Sequence, residues 1–219
     1  MIVNLRKAGC WQLVATRHPG ADLFQGLTDY GEWDELFEIE SFTNERLRAA
    51  GGNLSLVPRE RRAYGPGSAY IMAPFAYWAP GRFGDGTYGV LYAALDEATA
   101  VSEVMHHRAR FLRSTGNPKE TSTYQVLTLR CTGAFEDIRP LLGSELYHPD
   151  PACYGPAQRF AAEVRVRDGD GILYASVRRL GGECVAGFRP DRFSDCRHAR
   201  LVQCYWDGSR LSGPDGYLD

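Results

Sequence analysis

The chain has 219 residues, 44% hydrophobic, 24% charged and 12% aromatic, the make-up of a soluble globular protein and not of a low-complexity chain. Its net charge of −2 and pI near 6.2 exclude a global basic field for nucleic acid or an anionic membrane. A local arginine-lined pocket for a small anion stays open, and the length suits one domain, or a core of about 150–170 residues with an extension.

The N-terminal run MIVNLRKAGCWQLVATRHPG has no apolar h-region, so no signal peptide is expected, and no run reaches the roughly 18–20 apolar residues of a membrane helix. A cytoplasmic location is the expectation. EWDELFEIESFTNERLRAA, from Glu32 to Ala50, predicts a helix stopped by Gly51-Gly52, and residues 1–55 together read as a helical extension to a domain over 56–219. LSLVP is a short extended run. Gly65-Pro66-Gly67 predicts a tight turn, and Ser68 to Ala73 an extended segment that Pro74 limits to an edge or a bend.

GVLYAAL then predicts a compact buried strand, and Asp96 an N-cap for a helix ending near Gly116. TYQVLTLRC alternates, with Gln125, Leu127, Leu129 and Cys131 on one face, and predicts a strand with one core-directed face. YGPAQRFAAEVR, with Pro156 in its first turn, predicts a second helix. GILYASVR, ECVAGFRP and ARLVQCYW are three more strands, and WDGSR a hairpin turn. Five or six strands with two or three helices, without regular βα alternation, give the α+β class. No GxGxxG opens a helix after a strand, which argues against a doubly wound nucleotide fold.

Three residues of RFGDGTYGVLYAALDEATAVSE invite a chemical reading: Arg82, Tyr92 and Glu103. Each also has an ordinary one. Arg82 reads as a solvated loop residue and Tyr92 as a core aromatic with a satisfied hydroxyl. On a wheel of about 100° per residue, Ala100, Val101, Val104, Met105, Phe111 and Leu112 form an apolar stripe with Arg108 inside it. Glu103 falls on the polar side, four residues before His107. Sequence physics leaves both readings open.

No metal site is expected. Cys184, Cys196, His198 and Cys204 match no standard zinc spacing, His106 and His107 point about 100° apart on a helix, and the six cysteines suit buried thiols in a reducing compartment.

The order of Arg82, Tyr92 ten residues on and Glu103 eleven further, within GRF…LYAAL…TAVSE, resembles the RES-domain family. A second match lies at DGILYASVRRLGGECVAGFRP, where Ser176 takes the serine position. The resemblance runs from about Thr43 to Pro190; Gly84 departs from it, where many members carry Asn.

The resemblance implies an ADP-ribosyltransferase-like split β-sandwich, two mixed or antiparallel sheets flanked by helices. It implies a toxin of a bacterial type II toxin–antitoxin pair that degrades NAD+ at the nicotinamide–ribose bond, with water or inorganic phosphate as acceptor and no resident cofactor. Protein mono-ADP-ribosylation is the alternative, and a catalytically silent RES-like binding module a further one. It assigns Arg82, Tyr92 and Glu103 to catalysis, and Arg62 and Ser176 to NAD+ binding. It also implies an Xre-type antitoxin as partner, no direct contact with nucleic acid or membrane, and room for a homodimer.

Overall fold

A computed structural model describes residues 1–15, 57–76 and 78–213. The chain order is β1 (Ile2–Ala15), α1 (Ser68–Ala76), β2 (Leu91–Ala94), α2 (Glu97–Thr115), β3 (Glu120–Asp137), α3 (Gly155–Val166), β4 (Gly171–Ala175), β5 (Glu183–Gly187), β6 (Phe193–Trp206) and β7 (Leu211–Ser212). The mixed class holds, with strands and helices interspersed.

The two separate sheets are corrected. Among the described residues seven strands join in one sheet, ordered β1-β2-β5-β4-β3-β6-β7, and β1 also pairs with β3. The ladder β1–β2–β5–β4–β3 therefore returns to β1. The length of β3 makes this closure feasible. One edge carries β1, from Glu136 opposite Ile2 to Tyr124 opposite Ala15. Its other edge is shared: β6 takes Glu120 to Cys131, and β4 pairs in parallel with Phe135 to Asp137.

The N-terminal reading changes as well. Residues 2–15, expected inside a helical extension, form β1. The helix expected over Glu32–Ala50 and most of LSLVP lie outside the described residues. The strand was hard to read because its alternation changes phase. Between Leu5 and Ala8 the register slips, with Lys7 at φ 50°. Before the slip Val3 and Leu5 face one core; beyond it Cys10 and Val14 do, while Trp11 and Leu13 face the other.

Two cores lie on opposite faces of the sheet. One gathers Val126, Ile172, Tyr174, Cys184 and Ala186 under α2 (Val101, Met105, Leu112) and α3 (Ala157, Ala161, Val164). The other gathers Leu91, Leu127, Leu129, Phe135, Leu173 and Val185 under Ile71, Met72 and Phe75 of α1. Strand β3 is thus buried on both faces, not one. Each large side chain so covered contributes about 1.5–3 kcal/mol.

The segment expected to be extended is α1, which contains Pro74 in its last turn. Ile71, Met72, Phe75 and Ala76 are buried at helical spacing, and that burial outweighs the backbone hydrogen bond Pro74 cannot make. Helix α2 begins at the expected cap, Asp96 accepting from the Thr99 backbone N–H at 2.8 Å, and ends on Gly116 at φ 60°. Phe111 leaves the expected stripe: it is half exposed and carries the Arg108 guanidinium over its ring. Cys184 and Cys204 belong to one core and Cys196 to the other, with His198 exposed.

Candidate active site

Topology brings the site together at one end of the sheet. Strands β2 and β4 both lie antiparallel to β5 and so run in the same direction. Their C-terminal ends emerge at the same end of the sheet on either side of β5, where the Leu95 N–H donates to Glu183 O at 2.9 Å. Asp96 follows β2 and starts α2; Ser176 follows β4. Helix α2 then turns Glu103 back over the end of β4.

There the Ser176 hydroxyl donates to Glu103 Oε1 at 2.6 Å. Ser176 Oγ in turn accepts the backbone N–H groups of Arg178 (3.0 Å) and Arg179 (3.1 Å), and the Ser176 N–H donates to Gly182 O at 2.8 Å. Ser176 is buried, and its hydroxyl proton has one direction left once the turn has taken the lone pairs. The sequence S-V-R-R-L-G-G therefore folds into a turn that aims a donor at a carboxylate. Gly182 is needed for this. A Cβ there would come within 2.4 Å of Thr99 Oγ1 in the first turn of α2.

Glu103 is a quarter exposed, and its Oε2 lies 4.0 Å from His107 Nε2. The i,i+4 partner is present at the limit of ion-pair range, but the short bond goes to Ser176. Burial, against the pull of Glu103, holds the His107 imidazole below its usual value, and Arg178, Arg110 and Arg82 push in the same direction. Three guanidinium charges thus act on the surroundings of one carboxylate. Such a field favours an anionic ligand.

Arg82 is buried, not solvated. Its Nη1 donates to Leu146 O at 3.1 Å and to His148 O at 2.9 Å, its Nη2 lies 3.5 Å from the Tyr154 hydroxyl, and its guanidinium sits 4.5 Å from that ring's centre. The side chain is a strut under the loop 146–154. Tyr92 accepts the Phe83 N–H at 2.8 Å and packs against the first core. Burial pushes its phenol far above the ordinary value, so the hydroxyl stays protonated. Tyr92 thereby locks the chain next to Arg82.

Arg62 lies elsewhere. It donates through Nε to Val57 O at 3.0 Å in its own segment, beside Ala63 of the second core. Arg82, Tyr92, Glu103 and Ser176 border the first core, where both Arg82 and Glu103 act on the buried Tyr174 and Cys184.

Sequence reasoning passed over four contributors. Tyr147 accepts the Ala175 N–H at 3.2 Å and donates to Ile138 O at 2.9 Å, holding the end of β4. Tyr154 stacks on Arg82. Gln158 of α3 donates to Gly81 O at 2.9 Å and holds the arginine's own turn. Arg178 donates through Nη2 to Pro149 O at 2.6 Å. Only Arg178 had a legible signal, two residues after Ser176 in the same turn; a side chain bound to a carbonyl leaves none.

Among the described residues, no group of three or more His, Cys, Asp or Glu side chains is placed to hold a metal ion, and no helix is long and apolar enough to cross a membrane.

The chain is 30% identical over 210 residues to the uncharacterized protein y4oC of Sinorhizobium fredii (strain NBRC 101917 / NGR234), which covers 92% of this chain and 84% of that protein. It is also similar, at a TM-score of 0.45 and 14% identity, to a chain in the crystal structure of the M. tuberculosis MbcT–MbcA toxin–antitoxin complex, over 91% of this chain and 85% of that one. The model of the RES domain matches residues 59–207. The chain belongs to the RES-domain family.

Proposed function

We propose that the chain degrades NAD+ by cleaving the bond between nicotinamide and ribose, with water or inorganic phosphate as acceptor, as the toxin of a type II toxin–antitoxin pair. The observation that carries this reading is the Glu103 carboxylate, fixed at 2.6 Å by Ser176, with the charges of Arg178, Arg110 and Arg82 acting on its neighbour His107. A dinucleotide offers what such a site can use, a pyrophosphate for the arginines and a ribose whose departing group needs no acid.

In the reaction the C1′–N1 bond breaks and its electron pair returns to the pyridinium nitrogen, so nicotinamide leaves neutral. Positive charge develops on the ribose. Glu103 stabilises that charge, and the Ser176 hydroxyl holds the carboxylate in place so that no reorientation is needed as charge appears. An oxygen of water or phosphate then bonds to C1′ and releases its proton to solvent or to Glu103. Unlike O-glycoside cleavage, this needs one carboxylate and not two. Tyr92 and Arg82 position: the first fixes the turn at Phe83, the second the loop 146–154. Family resemblance supports an Xre-type antitoxin as the neutralising partner.

The test is to incubate the protein with NAD+, with and without phosphate, and resolve products by phosphorus NMR and chromatography. Nicotinamide with ADP-ribose, or with its 1″-phosphate when phosphate is present, is the expected result. Intact NAD+ in both mixtures sinks the reading; label transfer to protein in lysate would replace it with mono-ADP-ribosylation.

A further inference from the structure

The best-placed arginine by sequence, Arg82, has little left to offer a ligand. One terminal nitrogen serves two carbonyls and the other faces Tyr154, under a surface that leaves the residue 8% exposed. An anion that took these donors would have to release the loop 146–154.

Arg178 is the opposite case. Its backbone N–H holds Ser176 Oγ at 3.0 Å, so the residue belongs to the turn that aims Ser176 at Glu103. Its Nη2 reaches Pro149 O at 2.6 Å, on the same loop that Arg82 supports from beneath. Its Nε is buried and has no acceptor among the described residues. The other such atom is Nε of Arg108, whose guanidinium already has the Glu120 carboxylate as partner. Among the described residues Arg178 has no carboxylate partner. A buried Nε is out of a ligand's reach, but Nη1 is not buried and has no acceptor among the described residues, so it is open to an oxyanion. The charge of Arg178 also acts on His107, 4.0 Å from Glu103, so its field reaches the surroundings of that carboxylate.

We propose that Arg178, not Arg82, is the residue that grips the anionic part of the ligand, which on the reading above is the pyrophosphate of NAD+. The planar guanidinium fork suits two phosphoryl oxygens, with its terminal nitrogens as donors. Arg178 is then a direct binding residue, and Arg82 a positioning residue that sets the loop against it.

Inorganic pyrophosphate, titrated calorimetrically into wild type, R178Q, R178K and R197Q, tests this without needing turnover. Arg197 is exposed on β6 and controls for net charge alone. Pyrophosphate binding should weaken about tenfold or more in R178Q and recover only in part in R178K, which restores charge but not the fork. R197Q should bind as wild type does. The proposal fails if folded R178Q binds pyrophosphate normally, if R197Q loses as much, or if wild type does not bind it. Should R178Q unfold, R178K decides: full affinity there shows that a point charge suffices and overturns the fork. The two readings separate in a parallel NAD+ assay. Wild type that binds pyrophosphate through Arg178 yet leaves NAD+ intact sinks the reaction and spares the site. Wild type that cleaves NAD+ with an unchanged KM in R178Q does the reverse.

Discussion

Replacing Glu103 by glutamine removes a charge and little else. The amide fills the same volume, and its oxygen can go on accepting the Ser176 hydroxyl, which the turn already orients through Arg178 and Arg179. Stability should stay within about 1 kcal/mol of wild type. Catalysis should not. A full negative charge about 4 Å from the developing ribose cation is worth about 4 kcal/mol at an effective dielectric near 20. At about 1.36 kcal/mol per decade that is close to a thousandfold in rate. Glu103 is a quarter exposed, so water screens part of this, and a loss of about 100- to 1,000-fold in kcat is expected. The assay is nicotinamide release at saturating NAD+, with thermal unfolding alongside. E103Q that melts like wild type and turns over within about threefold of it refutes the electrostatic role. S176A sharpens the argument, because Ser176 acts through Glu103. Alone it should cost about 10- to 100-fold, the worth of a hydrogen bond to a charged group. Added to E103Q it should cost far less, and additive losses would give Ser176 an independent contact with substrate.

Asp137 is buried and holds Arg139 by two side-chain bonds, at 2.9 and 2.7 Å, while Arg139 reaches on to Glu183 at 2.6 Å. With Arg139 about a third exposed, D137N should destabilise the fold at pH 7 by about 2–3 kcal/mol, discounted from a fully buried pair. The Arg139 side-chain bonds hold the Asp137 carboxyl below its ordinary value. Its contribution is therefore present above the unfolded value near 4 and lost as pH falls through the lower folded one, so denaturant midpoints of wild type and D137N should converge below about pH 4. Y92F leaves the Phe83 N–H without its acceptor and should lower stability by about 1–3 kcal/mol in chemical denaturation. Because the Tyr92 phenol is raised far above its ordinary value near 10, the alkaline side of the pH–rate profile should not move; a shifted limb would make Tyr92 a titrating group. G182A drives a methyl to 2.4 Å from Thr99 Oγ1, itself bound to Asp96, and should cost about 1–3 kcal/mol and lower kcat; an unchanged Tm contradicts the tight fit.

What could be read from sequence follows the range of the forces involved. Helix α2 was legible at both ends because a cap is local: Asp96 and Gly116 act within one turn. So was the hairpin after Trp206, closed by the Asp207 N–H on Arg210 O. Strand β1 was missed because its bulge at Lys7 flips the inward face midway, and only its partner β3 makes sense of the slip. Helix α1 was missed because Pro74 argued locally against what Ile71, Met72 and Phe75 require together. The joining of the sheets rests on pairings such as Trp11 with Ala94, 83 positions apart, for which local pattern has no signal.

The site divides in the same way. Glu103 and Ser176 stand 73 positions apart and meet because parallel β2 and β4 end together, so motif order pointed to a pair that spacing alone could not have placed. Roles were less legible than positions. Sequence offers four arginines near the motifs, Arg62, Arg82, Arg178 and Arg179, and charge alone ranks them equally. Their acceptors separate them. Arg62 donates to a carbonyl of its own segment, Arg82 is committed beneath a loop, and Arg179 lies 3.8 Å from Asp96 at the cap of α2. Arg178 has no carboxylate partner among the described residues and keeps terminal Nη1 without an acceptor there. A guanidinium is a strut when carbonyls already meet its donors and a ligand group when they do not, and that distinction exists only once the loop 146–154 has been laid across the end of the sheet.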